Sequence, residues 1–163
     1  MGRPVGRKIE YDFPKIIRKD AEYLHNEVIR PCLEALQRPG FETALSEMMK
    51  AHEAYKAKQY ADAITDACSA FESVMKTICA RKKWAFNPDK DTCGALAKTL
   101  VANGLVYSFY TPLLETIGTI RNKMSDAHGR GPAPQHSADK EYADHMIQVT
   151  SANITLLVKK SGI

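Results

Sequence analysis

Tyr60-Ala61-Asp62-Ala63-Ile64-Thr65-Asp66-Ala67-Cys68-Ser69-Ala70-Phe71-Glu72-Ser73-Val74-Met75-Lys76-Thr77-Ile78-Cys79-Ala80-Arg81-Lys82-Lys83 is the stretch that decides the fold class. Ala61, Ile64, Ala67, Cys68, Phe71, Val74, Met75 and Ile78 recur at three- and four-residue steps, the signature of a helix with one broad apolar face. Ala61, Ala63, Ala67 and Ala70 leave room for a neighbouring helix to approach. The run ends on Arg81-Lys82-Lys83, cations suited to the negative end of a helix dipole.

The same period recurs on both sides, and no convincing run of period-two alternation occurs. Upstream, a helical pattern runs from Pro14 to about Gln37, with Pro31 expected to kink or divide it. Pro39-Gly40 breaks the chain. A second helix is predicted from Glu42 to about Lys58, with a tight turn at Gln59-Tyr60. Downstream of the loop at 84–91, a shorter helix from Thr92 to about Asn103 closes on Gly104 as its cap. Thr111-Pro112 reads as cap and first residue of the next helix. Its buried face is predicted to hold Leu113, Leu114, Ile117, Ile120 and Met124, and Gly129, Gly131, Pro132 and Pro134 stop it. A last helix from about Ser137 to Lys160 is predicted to pack through Tyr142, Met146, Val149, Ala152, Leu156 and Leu157. The fold class is therefore all-α, a bundle of five to six helices.

At 163 residues the chain is long enough for one core without staples. Residues 1–13 read as a flexible basic arm, 14–40 as an amino-terminal helix and linker, and 41–163 as the bundle. No apolar run spans a bilayer and no secretory signal is present, so no membrane partner and a cytoplasmic location are expected. Cys32, Cys68, Cys79 and Cys93 lack zinc spacing and read as core thiols. The net charge of +4 helps a phosphate-rich partner approach but decides little. His25 and His52 are expected at the surface or its boundary. His136, Asp144 and His145 are placed where they could border a cleft. Serine-hydrolase, phosphate-loop and dinucleotide signatures are absent.

Packing explains most of the chain, but not Arg121-Asn122-Lys123-Met124-Ser125-Asp126-Ala127-His128. On a helix, Arg121 and His128 are separated by about 700°, some 20° short of two turns, and by about 10.5 Å along the axis. They share a face with Ser125 between them and Asn122 and Asp126 at its borders. Such groups suit phosphodiester cleavage without a metal or other cofactor. A near-neutral imidazole can move the proton of a ribose 2′-hydroxyl, and a guanidinium can hold the charge growing on phosphoryl oxygens. The helix's negative end opposes phosphate, so Arg121, Lys123 and Arg130 must outweigh it. The bland alternative is a polar helix end that satisfies carbonyls and salt bridges. Glu72 equally suits an i,i+4 pair with Lys76, and Asp126 a pair with Arg130.

The R-N-x-x-x-x-x-H arrangement running into Ala127-His128-Gly129-x-Gly131 resembles the signature of the HEPN superfamily, and more narrowly the C-terminal domain of bacterial abortive-infection proteins. The alanine-rich stretch with Glu72-Ser73-x-x-Lys76 is similar to that family's corresponding helix, and the likeness covers about residues 44–160. The resemblance implies a bundle that dimerises with two motifs across a shared cleft. It implies RNA cleavage in a toxin or antiphage role, with Arg121 and His128 as the essential pair and Asn122 as the polar residue after the arginine. Glu72 matches an acidic position near the cleft. Apart from the resemblance, their place beside the motif makes Asp126 and Ser125 supporting candidates and Lys123 and Arg130 candidate RNA contacts. A protein antitoxin or regulatory partner fits the same picture. The family also holds inactive members, so a non-catalytic module binding RNA or protein stays open.

Overall fold

The computed structural model describes residues 25–124 and 136–163. Among these residues it holds six α-helices and no strand. They are α1 (Arg30–Leu36), α2 (Glu42–Lys56), α3 (Tyr60–Lys82), α4 (Cys93–Ala102), α5 (Thr111–Met124) and α6 (Lys140–Ser161). A π-helical turn, His25–Ile29, leads into α1, and a 3-10 turn, Ser108–Tyr110, leads into α5. The basic arm and the pattern from Pro14 to Leu24 lie outside the described residues, as do Gly129, Gly131, Pro132 and Pro134.

α3 is the axle of the bundle. Ile64, Ala67, Cys68, Phe71, Val74, Met75 and Ile78 are all fully buried, with Ala63 and Ala70 beside them, so the stripe read from sequence is the core face save for Ala61, which is only partly buried. Each large apolar side chain so placed contributes about 1.5–3 kcal/mol. α3 packs on α2, its most extensive neighbour, on α6, and along one edge on α4 and α5. Phe41, at the α2 entry, is fully buried under the Arg81 guanidinium, which lies 5.7 Å from its ring centroid and donates to the Pro39 carbonyl. One of the cations at the end of α3 thus ties down the α1–α2 turn. α1 joins the same core through Cys32, Leu33, Ala35 and Leu36, and Arg38 reaches the Ile163 carbonyl at 2.6 Å.

Helix ends follow from local chemistry. Thr92 caps α4, its hydroxyl accepting from the Ala95 N–H at 3.4 Å, and Asp139 caps α6, accepting from the Tyr142 N–H at 2.9 Å. Gly104, at φ +73°, ends α4 as expected. Leu105 N–H bonds the Leu100 carbonyl and Gly104 N–H that of Val101, the paired closure that a left-handed residue allows.

At Pro31 the helical run changes character: the π-helical turn His25–Ile29 gives way to α1, and Pro31 stands in the first turn of α1. Several expectations are corrected. Thr111 is itself helical (φ −52°, ψ −50°), because the 3-10 turn runs straight into α5. Leu113 is 46% exposed and does not belong to the buried face. On α6 the buried stripe runs through Ala143, Met146, Ile147, Thr150, Ser151, Ile154, Leu157 and Val158. Tyr142 and Ala152 point to solvent instead. Thr150 and Ser151 are fully buried, so the buried face is turned away from the one apolar residues alone suggest. His52 is buried, since it follows Met48 by one turn on the face α2 turns inward.

All four cysteines are free and buried. Burial pushes the Cys32 thiol up to about 12 and the Cys79 thiol up to about 11. Cys32 and Cys79 behave as small hydrophobes rather than nucleophiles.

Candidate active site

Arg121 reaches its position because it continues a buried stripe. Leu114, Ile117 and Gly118 are fully or almost fully buried on α5, and Arg121 follows Ile117 by four residues and Gly118 by three. The facing edge of α3 has the same step. Cys68 Sγ lies 4.0 Å from the Ile117 carbonyl, and one turn later Glu72 meets Arg121. Over this turn the two helices advance together, which fixes both side chains in register.

The close approach of α4 and α5 comes from Gly118. A Cβ there would lie 2.8 Å from Cys93 Cβ and 3.4 Å from Cys93 Sγ. Cys93 Sγ instead donates to the Leu114 carbonyl at 3.4 Å. On the outer side, Lys98 and Glu115 bridge the same two helices at 3.4 Å.

Arg121 Nη1 stands 3.1 Å from Glu72 Oε1, with the two side chains 22% and 15% exposed. The contact is an ion pair without an aligned hydrogen bond, because Glu72 Oε1 is shut from solvent and accepts none. On the other side, Arg121 Nε and Nη2 both face Asn122 Oδ1 at 3.4 Å. The guanidinium is therefore held in place on two sides while about a fifth of the side chain meets water. Lys123 lies beside it, exposed, and both cations occupy the last turn of α5, where they offset the partial negative charge of the carbonyls.

Glu72 takes Arg121 as its partner rather than Lys76, whose Nζ donates to the Pro88 carbonyl at 2.7 Å. Of the residues singled out from sequence, Arg121, Asn122 and Glu72 come together, and Lys123 flanks them. Ser125, Asp126, His128 and Arg130 lie outside the described residues. His136 and His145 are exposed, and Asp144 accepts from Gln148 at 2.9 Å.

Sequence reasoning missed Glu47, on α2 beside Ser73 and Glu72. Burial raises its carboxyl above the usual range, and the charges of Asp66 and Glu72 add to the rise, against the hydrogen bond with Ser73 and the charge of Lys50. No spacing signal marks it, because the contact joins two helices. A raised carboxyl weakens the fold wherever it is ionised, that is above its folded value, and not below its unfolded one. Glu47→Gln is therefore expected to raise the urea midpoint at pH 7, with the gain vanishing as pH falls below the ordinary carboxylate range.

Among the described residues, no group of three or more His, Cys, Asp or Glu side chains is placed to hold a metal ion. No described helix is long and apolar enough to cross a membrane. The family model Abi_C, a HEPN-like domain, matches residues 42–161. The chain belongs to this family. The match takes in α2 through α6, and so both halves of the Glu72–Arg121 pair. No curated protein and no solved structure matches the chain.

Proposed function

We propose that this HEPN-like domain is a metal-independent endoribonuclease of the abortive-infection type, working as a homodimer on single-stranded or loop RNA. The observation that supports it best is the Arg121 guanidinium, set between Glu72 and Asn122 on a side chain of which about a fifth is exposed. A pre-oriented fork of this kind needs little reorganisation when charge builds on a phosphoryl group.

In the proposed reaction His128 acts as general acid or base. The ribose 2′-hydroxyl gives its proton to a base as its oxygen bonds to phosphorus, and the bond to the 5′-oxygen breaks as that oxygen takes a proton from an acid; His128 fills one of these two roles and water the other. The products are a 2′,3′-cyclic phosphate and a 5′-hydroxyl. Arg121 binds the non-bridging oxygens as negative charge concentrates there. Asn122 and Glu72 position Arg121, with Ser125 and Asp126 supporting. Lys123 and Arg130 draw in the backbone, and Lys123 matters the more because Glu72 neutralises Arg121 in the resting site. The physiological role is that of an antiphage effector or toxin, restrained by a protein partner.

The same neutralisation favours a second reading, in which the ion pair is structural and the domain binds RNA or protein without turnover. An RNA oligonucleotide with one 2′-deoxy nucleotide at the cleaved bond separates the two. In excess chelator, the parent chain is expected to cleave the all-ribose oligonucleotide to cyclic-phosphate ends and to leave the deoxy-substituted bond intact. Cleavage of the deoxy-substituted bond contradicts the mechanism, and binding without any cleavage supports the second reading.

A further inference from the structure

Where α4 hands over to α5, the molecule turns aromatic side chains outward. Tyr107 is 71% and Phe109 72% exposed, although burying either ring would stabilise the fold. The two rings stack on each other, with centroids 5.4 Å apart and planes inclined by 21°. Phe109 leans in turn on Tyr110, at 5.3 Å and 38°. Tyr110 is only partly exposed and packs against the core, so it anchors the other two. The result is a short ladder of rings held by a 3-10 turn, with aromatic surface open to solvent.

We propose that this ladder is a stacking platform for the bases of single-stranded RNA, at the opposite end of α5 from Arg121. The inference rests on the ribonuclease reading above and adds the element that grips the strand away from the cleaved bond. Stacking on exposed rings is how proteins hold single strands without reading their sequence.

Three observations favour a nucleic-acid strand over a protein surface. The first is size. An aromatic side chain offers about 150–250 Å² in all. Two rings exposed by some 70%, with the half-exposed Leu113 one turn on, therefore present on the order of 300–400 Å². A stable protein contact needs about 800 Å² on each side. The second is charge. Residues 103–114 contain no charged side chain, so the segment neither repels nor attracts a phosphate, and the nearest carboxylate on α5, Glu115, is paired with Lys98. The third is position. The rings stand at the amino end of α5, and Arg121 and Lys123 stand near its carboxyl end, about 15 Å further along the axis. That axial rise is a span of a few nucleotides.

The test uses the full chain and a fluorescein-labelled 2′-O-methyl RNA decamer, which the proposed chemistry does not cut. Binding is followed by anisotropy across a salt series, for the parent, Tyr107→Ala/Phe109→Ala and Tyr107→Trp/Phe109→Trp. The alanine pair is expected to bind roughly 10- to 100-fold more weakly with an unchanged salt slope, because stacking is lost and phosphate contacts are not. The tryptophan pair is expected to bind as tightly as the parent or tighter. Equal affinity in the parent and the alanine pair overturns the platform. So does unchanged RNA binding together with loss of self-association in sedimentation, which would assign the rings to contact with a second copy. If the parent cleaves unmodified RNA while the alanine pair binds normally, the platform alone falls. If the parent neither binds nor cleaves RNA, the ribonuclease reading falls with it.

Discussion

Arg121→Ala is expected to slow RNA cleavage by about 100- to 1,000-fold in kcat, the usual cost of removing one donor aimed at charge that develops in the transition state. Arg121→Lys keeps the charge but loses the planar fork, and should fall between the two. The substitution also strands Glu72, whose side chain is 15% exposed, so a fall in stability of about 1 kcal/mol accompanies it. That loss permits a clean separation of roles. In Glu72→Ala/Arg121→Ala no charge is left unpaired, and stability should recover toward the parent's. Cleavage should not. Recovery of both would make the pair a structural device. Single-turnover rates and urea midpoints on the same four proteins decide the matter.

Gly118→Val is expected to give the largest loss of stability, about 2–3 kcal/mol, or a fall in Tm of roughly 5–10 °C. The reason is the 2.8 Å that would separate a Cβ at position 118 from Cys93 Cβ, against about 3.5–4.0 Å for a normal carbon contact. Neither partner can yield as a flexible side-chain tip would. The clash is between the first carbons of two helices, so α4 and α5 must move apart. Since Arg121 follows Gly118 by less than a turn, the movement carries the guanidinium away from Glu72, and cleavage should fall with stability. Cys93→Gly in the same chain removes the opposing carbon and should restore at least half of the lost stability. A Gly118→Val protein that melts with the parent would show that the two helices have slack the geometry does not suggest.

Those two residues also mark what the sequence made legible. The core face of α3 could be read directly, because eight apolar residues repeat with helical period and nothing competes with burial as their explanation. That α5 carries the polar motif was readable from the stripe through Leu114 and Ile117. Its exposed border was not: Leu113 fits an apolar pattern, yet it falls between the 3-10 turn and the bundle and meets water. α6 misled for the opposite reason. Thr150 and Ser151 are polar by type but fully buried, so a reading by hydrophobicity turned the helix toward Tyr142 and Ala152. The partner of Glu72 was beyond sequence altogether. Lys76 stands at ideal spacing on the same helix, and only the packing of α5 against α3 shows that an arginine forty-nine residues away takes its place. The aromatic ladder was invisible for a related reason. Tyr107, Phe109 and Tyr110 carry no motif, and their meaning comes from what the fold leaves uncovered.

The central claim is that Arg121 and His128 act on one phosphate as a unit. A double-substitution cycle in excess chelator tests it most directly, with cleavage rates of one labelled RNA measured for the parent, Arg121→Ala, His128→Ala and the two combined. Groups that serve a single transition state are strongly non-additive, so the combined protein is expected to be scarcely slower than the slower single variant. Two single losses that multiply, or single variants that both cleave as fast as the parent, would contradict it.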